Sequence, residues 1–373
     1  MTTVPAPAFT FSQSPGLWLL AWRRLRADRL AMASAAVVLA YLVLIALSGS
    51  GLIASDWDSE IGANYAPPAF VGAPAEVVQA AAAGSETAAP ENPRDPLKDV
   101  LRELRVERGD APPAALEDYG VADPIGPEIA QLRARLAREG KSAAAVRSPT
   151  LPFGADKWGH DVIKKTIKGS ETSIVVGLVA AFLATLAGTV LGAFAGYFGG
   201  AVDDFFNWFY SVFTAVPNLL LIMAAAAVLQ HKGVTTIVLI LASTGWTGTF
   251  RLVRAEYIKH KSREYVMAAD AIGASHWRRM FAHIFPNVSH VALVQMSILS
   301  VGFIKYEVIL SFLGFGVPVG VVSWGSMLNE ASNELILGRW WQLAAASIAM
   351  AVLVTAFSLF TDALRDALDP KLK

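Results

Sequence analysis

Six long apolar stretches constrain the fold of this chain of 373 residues more than any other feature. Each is long enough to cross the ~30 Å hydrocarbon core of a bilayer as a helix. Charged residues are almost absent from them, and an ionised side chain at the centre of a span costs about 2.5–3.5 kcal/mol. The chain is 54% hydrophobic and only 17% charged, whereas soluble domains carry about 25% charged residues. The sequence therefore predicts an all-α integral membrane protein with six transmembrane helices, at about 30–48, 173–198, 205–229, 234–250, 289–313 and 341–360.

The N-terminal segment 1–29 is basic and amphipathic. Trp18, Leu19 and Trp22 alternate with arginines, which predicts a helix that lies in the membrane interface; an ordinary basic flank is the alternative. The apolar run that follows is longer than the ~7–15 residues of a signal peptide. We therefore expect a first transmembrane helix that is retained.

The distribution of lysine and arginine predicts the orientation. These residues cluster before the first span, between the fourth and fifth spans, and after the sixth. The loops that would lie on the opposite side of the membrane carry little more than Lys232 and Arg339. By the positive-inside rule, both termini, the loop 255–288 and the tail 367–373 face the cytoplasm. Zero formal net charge offers no case for binding nucleic acid.

The region 49–165 is then a long extracytoplasmic insert, partly of low complexity. Residues 72–90 are rich in alanine and predict a flexible tract. Residues 96–108 and 127–139 have helical periodicity with interleaved acids and bases. Two solvated helices and a surface for a soluble partner are both compatible with this pattern.

A charged island, residues 262–286, separates the fourth and fifth spans, and we call it the docking segment. Ser262 is positioned to cap a helix with Glu264 in its first turn, where the helix dipole favours an anion. Gly273 should end this helix, and Ser275 should cap a second one that ends at Pro286. The first helix carries a stripe of residues on one side: Tyr265, Ala268, Ala269 and Ile272. The second helix has two arginines, Arg278 and Arg279, on one side and apolar residues on the other: Trp277, Met280, Phe281, Ile284 and Phe285. A short amphipathic helix between spans is suited to being held by a soluble partner.

Several positions within and beside the spans predict local structure. Gly188, Gly192 and Gly196 form a smooth ridge that lets another helix approach closely. Pro217 followed by Asn218 predicts a kink with a polar group beside it. The glycine-rich stretch 313–326 is expected to form a structured extracytoplasmic loop lining an entrance, because irregular backbone must avoid lipid.

Two charges interrupt the fifth span. Lys305 and Glu307 are two residues apart, so they face different sides of a helix and cannot pair with each other. Intramembrane charges are candidates for function, and both a pathway-lining role and an interface ion pair fit. Pro217 and Asn218 are further candidates for the same roles.

Catalytic patterns are missing from the sequence. There is no cysteine, no zinc-protease helix motif, no nucleophile elbow, and no histidine spacing that suggests a metal site. We therefore predict no catalytic, cofactor-binding or metal-binding residues, and a chain that is not an enzyme.

At this point the residues resemble the permease subunits of ATP-driven bacterial importers. Their cytoplasmic motif reads Glu-Ala-Ala, three residues, Gly, then Pro thirteen residues later. Ala268, Ala269, Gly273 and Pro286 fall in that register, whereas Met267 replaces the Glu. Further blocks around residues 153–162, 307–316, 323–325 and 362–370 are similar to the C-type permeases of the oligopeptide and dipeptide class.

The resemblance implies a type I importer fold and a set of partners: a second homologous permease subunit, two cytoplasmic ATPases that use ATP and Mg²⁺, an extracytoplasmic solute-binding protein, and inner-membrane lipid. It also implies that the docking segment couples to an ATPase through Glu264, Tyr265, Met267, Ala268, Ala269, Asp270, Ile272, Gly273, Ala274 and Pro286.

Other transport functions remain open at this stage. A permease for nickel or another small solute is the nearer alternative, because nickel systems share these blocks. A secondary transporter or channel is more distant, since it would need ion-coupling acids near the midplane and usually internal repeats.

Overall fold

A computed structural model describes residues 17–72, 147–229, 231–318 and 320–368. Across these ranges the chain is helical, with isolated bridges but no β-strand, which confirms the predicted all-α class. The flexible tract beyond residue 72, the two helices at 96–108 and 127–139, and the tail from 369 lie outside the described residues.

The described helices are α1 (Leu17–Ala27), α2 (Arg29–Gly49), α3 (Val162–Phe198), α4 (Gly200–Thr214), α5 (Asn218–Leu229), α6 (Val234–Gly245), α7 (Thr247–Lys261), α8 (Glu264–Ala271), α9 (Phe285–Phe312), α10 (Trp324–Ile336) and α11 (Trp341–Leu368). A π-helix, Arg278–Ile284, runs directly into α9. Asp28 caps α2 by accepting bonds from the backbone N–H groups of Leu30 at 2.8 Å and Ala31 at 3.3 Å.

Among the residues that the structure describes, four helical stretches are long and apolar enough to cross a membrane: α2, α3, the π-helix with α9, and α11. Two bent pairs, α4 with α5 and α6 with α7, bring the number to six if each pair forms one span. The first pair bends by 84° at residues 215–217, where Pro217 predicts a kink; the second bends by 41°. Breaks of this kind need neighbouring helices that satisfy the freed backbone groups.

The glycine ridge of α3 packs against α7. A side-chain carbon built on Gly188, Gly192 or Gly196 would lie 2.5–2.7 Å from a backbone carbonyl oxygen of Trp246, Phe250 or Arg254, respectively. Only glycine permits this approach, and in a membrane close packing replaces the hydrophobic effect as the source of helix association. The predicted ridge is confirmed, and its partner is α7.

Helix α10 was not predicted. The irregular stretch is shorter than expected, because Ser323 caps a helix that begins at Trp324. The Ser323 hydroxyl accepts from the Ser326 N–H at 3.2 Å, and the Ser326 hydroxyl accepts from the Ser323 N–H. Buried Lys165 in α3 donates to Glu330 of α10 at 2.6 Å. Gln342 of α11 donates to the same carboxylate at 3.3 Å, so one polar cluster ties three helices together.

The chain divides into two compact units, Met1–Asp58 with Val162–Lys373, and Ser59–Asp161. In the described part of the second unit, Ala66, Leu151 and Ala155 form a small core. The buried Asp156 carboxylate accepts bonds from the backbone N–H groups of Trp158 at 2.8 Å and His160 at 3.0 Å. These bonds define a compact loop without any regular element.

Candidate functional site

The docking segment forms a short helix, α8, joined to α7 by a tight connection. Glu264 stands in the first turn of α8, as predicted. Ser262 is not its cap: the Ser262 hydroxyl donates back to the carbonyl of Lys259 at 3.1 Å, and the capping position belongs to Arg263, whose side chain makes no cap bond. A serine that satisfies the preceding helix end is unavailable to the next helix start.

The two faces of α8 differ from the predicted stripe. Val266 and Ala269 are buried against the protein itself, whereas Ala268 is exposed and Ile272 is 84% exposed. Val266 belongs to a core cluster with Ala193, Tyr197, Val253, Tyr257, Met280, Ile284 and Val288. The outward face therefore consists of Glu264, Tyr265, Met267, Ala268 and Ile272, with Ala269 turned inward.

The outward face combines apolar and polar groups. Met267 is 55% exposed in the place where the related motif has Glu. The Tyr265 hydroxyl lies 2.8 Å from His260 Nδ1, and partial burial raises the pKa of Tyr265 above its ordinary value. The side chain therefore stays protonated at neutral pH and presents a neutral hydrogen-bonding group.

Gly273 ends α8, as the sequence predicts. Its φ of +77° lies in the left-handed region, which glycine adopts without strain. The Gly273 N–H donates to the carbonyl of Asp270 at 2.9 Å, and the Ala274 N–H donates to that of Ala269 at 3.0 Å. This pair of bonds is a Schellman motif, which closes the helix end and turns the chain back toward the membrane.

The next helix does not end at Pro286. Ser275 accepts a bond from the Arg278 N–H at 3.3 Å, as predicted, but the chain then winds as a π-helix and continues through Pro286 into α9. Proline is tolerated in the first turn of a helix, where its missing N–H has no partner to lose. The wider π turn just before it carries the i−5 bond from Phe285 to Met280, so the helix passes the proline without a break.

A polar network joins the docking segment to the end of α3. Arg279, predicted on the solvent side, has a side chain only 14% exposed; it forms an ion pair with Asp270, and its Nη2 lies 3.0 Å from His276 Nδ1. The hydroxyl of Tyr197 in α3 lies 3.0 Å from the same His276 nitrogen. The Arg279 guanidinium also stands 5.9 Å from the centroid of the Tyr197 ring. Asp270 on α8 is thereby connected through two side chains to a membrane-spanning helix.

Aromatic and backbone contacts reinforce this link. The Trp277 ring meets Phe194 of α3 edge-on at 5.6 Å and stacks on Phe281 at 5.3 Å. Tyr257 of α7 donates to the carbonyl of Met280 at 3.2 Å. The docking segment is therefore held to α3 and α7 and continues into α9, so these elements must move together if α8 is displaced.

The pathway or interface candidates fall in two different settings. Glu307 is fully buried in α9, where Ser311 donates to it at 2.6 Å, while Lys305 is exposed on another face of the same helix. Asn218, exposed beside the bend at Pro217, lies 3.5 Å from the Tyr306 hydroxyl. The structure therefore does not bring the four candidates together. No cluster of metal-ligating side chains occurs in the described ranges.

Sequence reasoning missed several residues of this site. Val266 on the inner face of α8 and Tyr197, His276 and Arg279 beside it hold α8 in place, and Tyr197 comes from a helix about seventy residues earlier in the chain. The alternating small and charged pattern indicates an amphipathic helix but not which face packs inward. Only the juxtaposition of α3 with the returning chain shows that.

Residues 188–373, which include the docking segment, match the family described as binding-protein-dependent transport system inner membrane component. Residues 16–68 match the N-terminal TM domain of oligopeptide transport permease C. The dipeptide transport system permease protein DppC of Bacillus subtilis is 36% identical over 221 residues, which make up 59% of this chain and 69% of that protein. The chain belongs to the family of binding-protein-dependent transport permeases.

Two other relatives are similar to the permease over nearly the same length. The oligopeptide transport system permease protein OppC of Bacillus subtilis is 36% identical, and the glutathione transport system permease protein GsiD of Salmonella typhimurium is 38% identical. Each match covers 59% of this chain and 72% of the relative. The permease is thus a membrane subunit with the type I fold of its family, and it is not itself an enzyme.

Proposed function

We propose that the permease is one of two homologous transmembrane subunits of an ATP-driven peptide importer in the bacterial inner membrane. Two cytoplasmic ATPases hydrolyse Mg²⁺-bound ATP, and an extracytoplasmic binding protein delivers the solute. Both termini and the docking segment face the cytoplasm, in keeping with the positive-inside distribution of arginine and lysine. The names of the relatives, which specify dipeptide, oligopeptide and glutathione transport, support a short peptide as the solute.

The observation that carries this proposal is the two-sided character of α8. Its inner face, Val266 and Ala269, packs on the core between α3, α7 and the π-helix, while its outer face is left open. The small side chain of Ala268 lets another backbone come close, and Ile272 and Met267 supply apolar surface around it. This arrangement suits a helix that sits in a groove of a soluble subunit.

The coupling mechanism follows from the connections of α8. When the ATPases close on ATP, they displace the helices seated in their grooves. The Asp270–Arg279–His276–Tyr197 network and the Tyr257–Met280 bond carry that displacement to α3, α7 and α9. The spans then exchange outward for inward access, and the solute passes between the two permease subunits.

Two neighbouring alanines test the docking role. Ala268→Trp should leave the permease folded, since the residue is exposed, but should abolish both peptide uptake and binding of the ATPases. Ala269→Trp should instead destabilise the permease itself, because this side chain is only 4% exposed and overpacking costs about 1–3 kcal/mol. Ala268→Ser, which keeps the residue small, is the matched control and should transport normally.

The measurements are uptake into proteoliposomes, co-purification of the ATPases, and thermal unfolding of each variant in detergent. Wild-type uptake by a folded Ala268→Trp permease would refute docking through α8. A purified permease that moved peptide without ATPases would refute the ATP-driven importer as a whole.

A further inference from the structure

A cavity of about 630 Å³ lies beside the docking segment, between the last turns of α7, the first turns of α9 and the end of α11. Its lining includes three basic side chains, Lys259, Arg263 and Arg365, and two histidines, His260 and His290. Glu256 is the one carboxylate among its lining residues. The cavity is separate from the core side of α8 that the coupling mechanism uses.

The charges in the cavity are not balanced by its own acid. Glu256 is engaged by Lys259 at 2.9 Å and lies 3.6 Å from His260 Nε2. Within the part of the chain that the structure describes, neither Arg263 nor Arg365 has a carboxylate within 4 Å. Two guanidinium groups from segments about a hundred residues apart therefore share the cavity with a carboxylate that is already paired with Lys259, and cations outnumber acids among the described lining residues, a setting that favours binding of an oxyanion.

The cavity also has an apolar part. Leu252 on α7, Val291 and Val294 on α9, and Leu368 on α11 contribute apolar side chains to its lining, and Asn287 and Gln295 on α9 add polar ones. Lys259 and Leu252 are seven residues apart on the same helix, which corresponds to about 10 Å along its axis. The cavity thus places cationic groups beside apolar side chains at the ends of three membrane helices.

We propose that this cavity binds the phosphodiester headgroup of an anionic phospholipid, with Arg263 and Arg365 on the phosphate and the start of an acyl chain over Leu252 and Val294. Basic pockets between helices at the cytoplasmic side are suited to anionic lipid headgroups. A free phosphate ion would use the basic side chains but not the apolar ones, so the mixed lining favours the lipid. The assignment to the cytoplasmic leaflet rests on the orientation in the proposed function.

The site has a consequence for transport. Its walls include α7 and α9, the two elements that flank the docking segment in the chain, and Arg263 is the capping residue immediately before α8. A lipid held between them would therefore contact the start of α8 through Arg263. Anionic lipid should therefore favour the arrangement of α7 and α9 seen here over arrangements that open or close the cavity.

Lipid binding to the purified full-length permease, without ATPases or binding protein, provides the test. Native mass spectrometry would measure the affinity for phosphatidylglycerol and for phosphatidylcholine with identical acyl chains. The wild type should retain one phosphatidylglycerol in preference to phosphatidylcholine. Arg263→Gln/Arg365→Gln should weaken phosphatidylglycerol binding by about tenfold or more, the effect of losing charge-assisted hydrogen bonds, and should remove the preference over phosphatidylcholine, whose phosphate charge is offset by its own choline cation.

Arg251→Gln is the matched control, because Arg251 is an exposed arginine of α7 that does not line the cavity. It should bind phosphatidylglycerol as the wild type does. Equal wild-type affinity for the two lipids, or an equal loss in the control, would overturn the proposal. Displacement of the lipid by inorganic phosphate or by a dipeptide at the same concentration would also overturn it, in favour of a free phosphate site or a solute site. Because no ATPase is present, none of these results depends on the proposed importer function.

Discussion

Removal of the Arg279 side chain should uncouple ATP hydrolysis from transport without unfolding the permease. Arg279 forms the polar connection between α8 and α3: it contacts Asp270 on one side, and His276 and the Tyr197 ring on the other. The Arg279→Ala permease should therefore still bind the ATPases through the outer face of α8. It should transmit their movement poorly.

The expected magnitude follows from the exposure of each contact. The Asp270 side chain is 63% exposed, so its ion pair with Arg279 contributes at most about 0.5–1 kcal/mol. The Arg279 guanidinium donates to His276 at an exposed position, so this charge-assisted bond contributes about 1–1.5 kcal/mol, the low end for its kind, and the contact with the Tyr197 ring adds about 0.5–1 kcal/mol. Arg279→Ala should thus weaken the attachment of α8 to α3 by about 2–3.5 kcal/mol, or about 30- to 400-fold, and Asp270→Ala by only a few fold.

Reconstitution of the whole importer in proteoliposomes allows uptake and ATP hydrolysis to be measured together. In Arg279→Ala the ATP consumed per solute should rise sharply, whereas Asp270→Ala should stay near the wild type. Arg278→Ala, which removes an adjacent exposed arginine, is the control and should leave the ratio unchanged. Since the chain has no cysteine, spin labels on introduced cysteines at the ends of α8 and α3 can report the separation directly.

Two results would refute this reasoning. A wild-type ratio of ATP to solute in Arg279→Ala would show that the network does not transmit movement. An effect of Asp270→Ala as large as that of Arg279→Ala would show that the exposed ion pair, and not the contacts with His276 and Tyr197, holds α8 in place.

Three further substitutions test the packing that supports the site. Gly192→Leu should destabilise the permease by about 1–3 kcal/mol, because a side chain there meets the Phe250 carbonyl; an unchanged unfolding temperature in detergent would contradict the close α3–α7 contact. Glu307→Ala should cost about 1–3 kcal/mol by leaving the buried Ser311 hydroxyl without its acceptor, whereas Glu307→Gln keeps an acceptor and should cost less; equal losses would argue against this bond. Trp324→Ala should lower the free energy of unfolding by about 3–5 kcal/mol because the ring is fully buried. Trp324→Phe should recover most of this loss, and an equal loss in the two variants would show that the indole N–H bond to α3 dominates.

Much of the architecture could be predicted because it depends on local composition. A span is an uninterrupted apolar run, and the ridge of Gly188, Gly192 and Gly196 is visible as a four-residue repeat. The turn at Gly273 and the cap at Ser275 are local as well, since each needs only a residue type at one position. Helix α10 was not predicted because the glycine-rich stretch before it indicates irregular backbone up to Ser326, and the capping box at Ser323 lies within that stretch.

The errors in the docking segment have a common cause. Ser262 could cap α8 or close α7, and the choice depends on how the two helices meet. Pro286 normally ends a helix, yet the π turn before it lets the helix pass. The predicted stripe placed Ala269 outward together with Ala268, whereas contact with the core under Val266 turns Ala269 inward. Each alternative is compatible with the sequence, and packing against another element selects one.

By itself, the sequence determined that this protein is a helical membrane protein with a short amphipathic segment between spans, because transfer of side chains from water to lipid is a property of composition. The tertiary structure alone decided which face of α8 is free, and that Asp270, Arg279, His276 and Tyr197 meet. It also decided that Arg263 and Arg365 share a cavity. Tyr197 and His276, like Arg263 and Arg365, are far apart in the chain, and the energy that brings them together depends on distance in space, which no local pattern records.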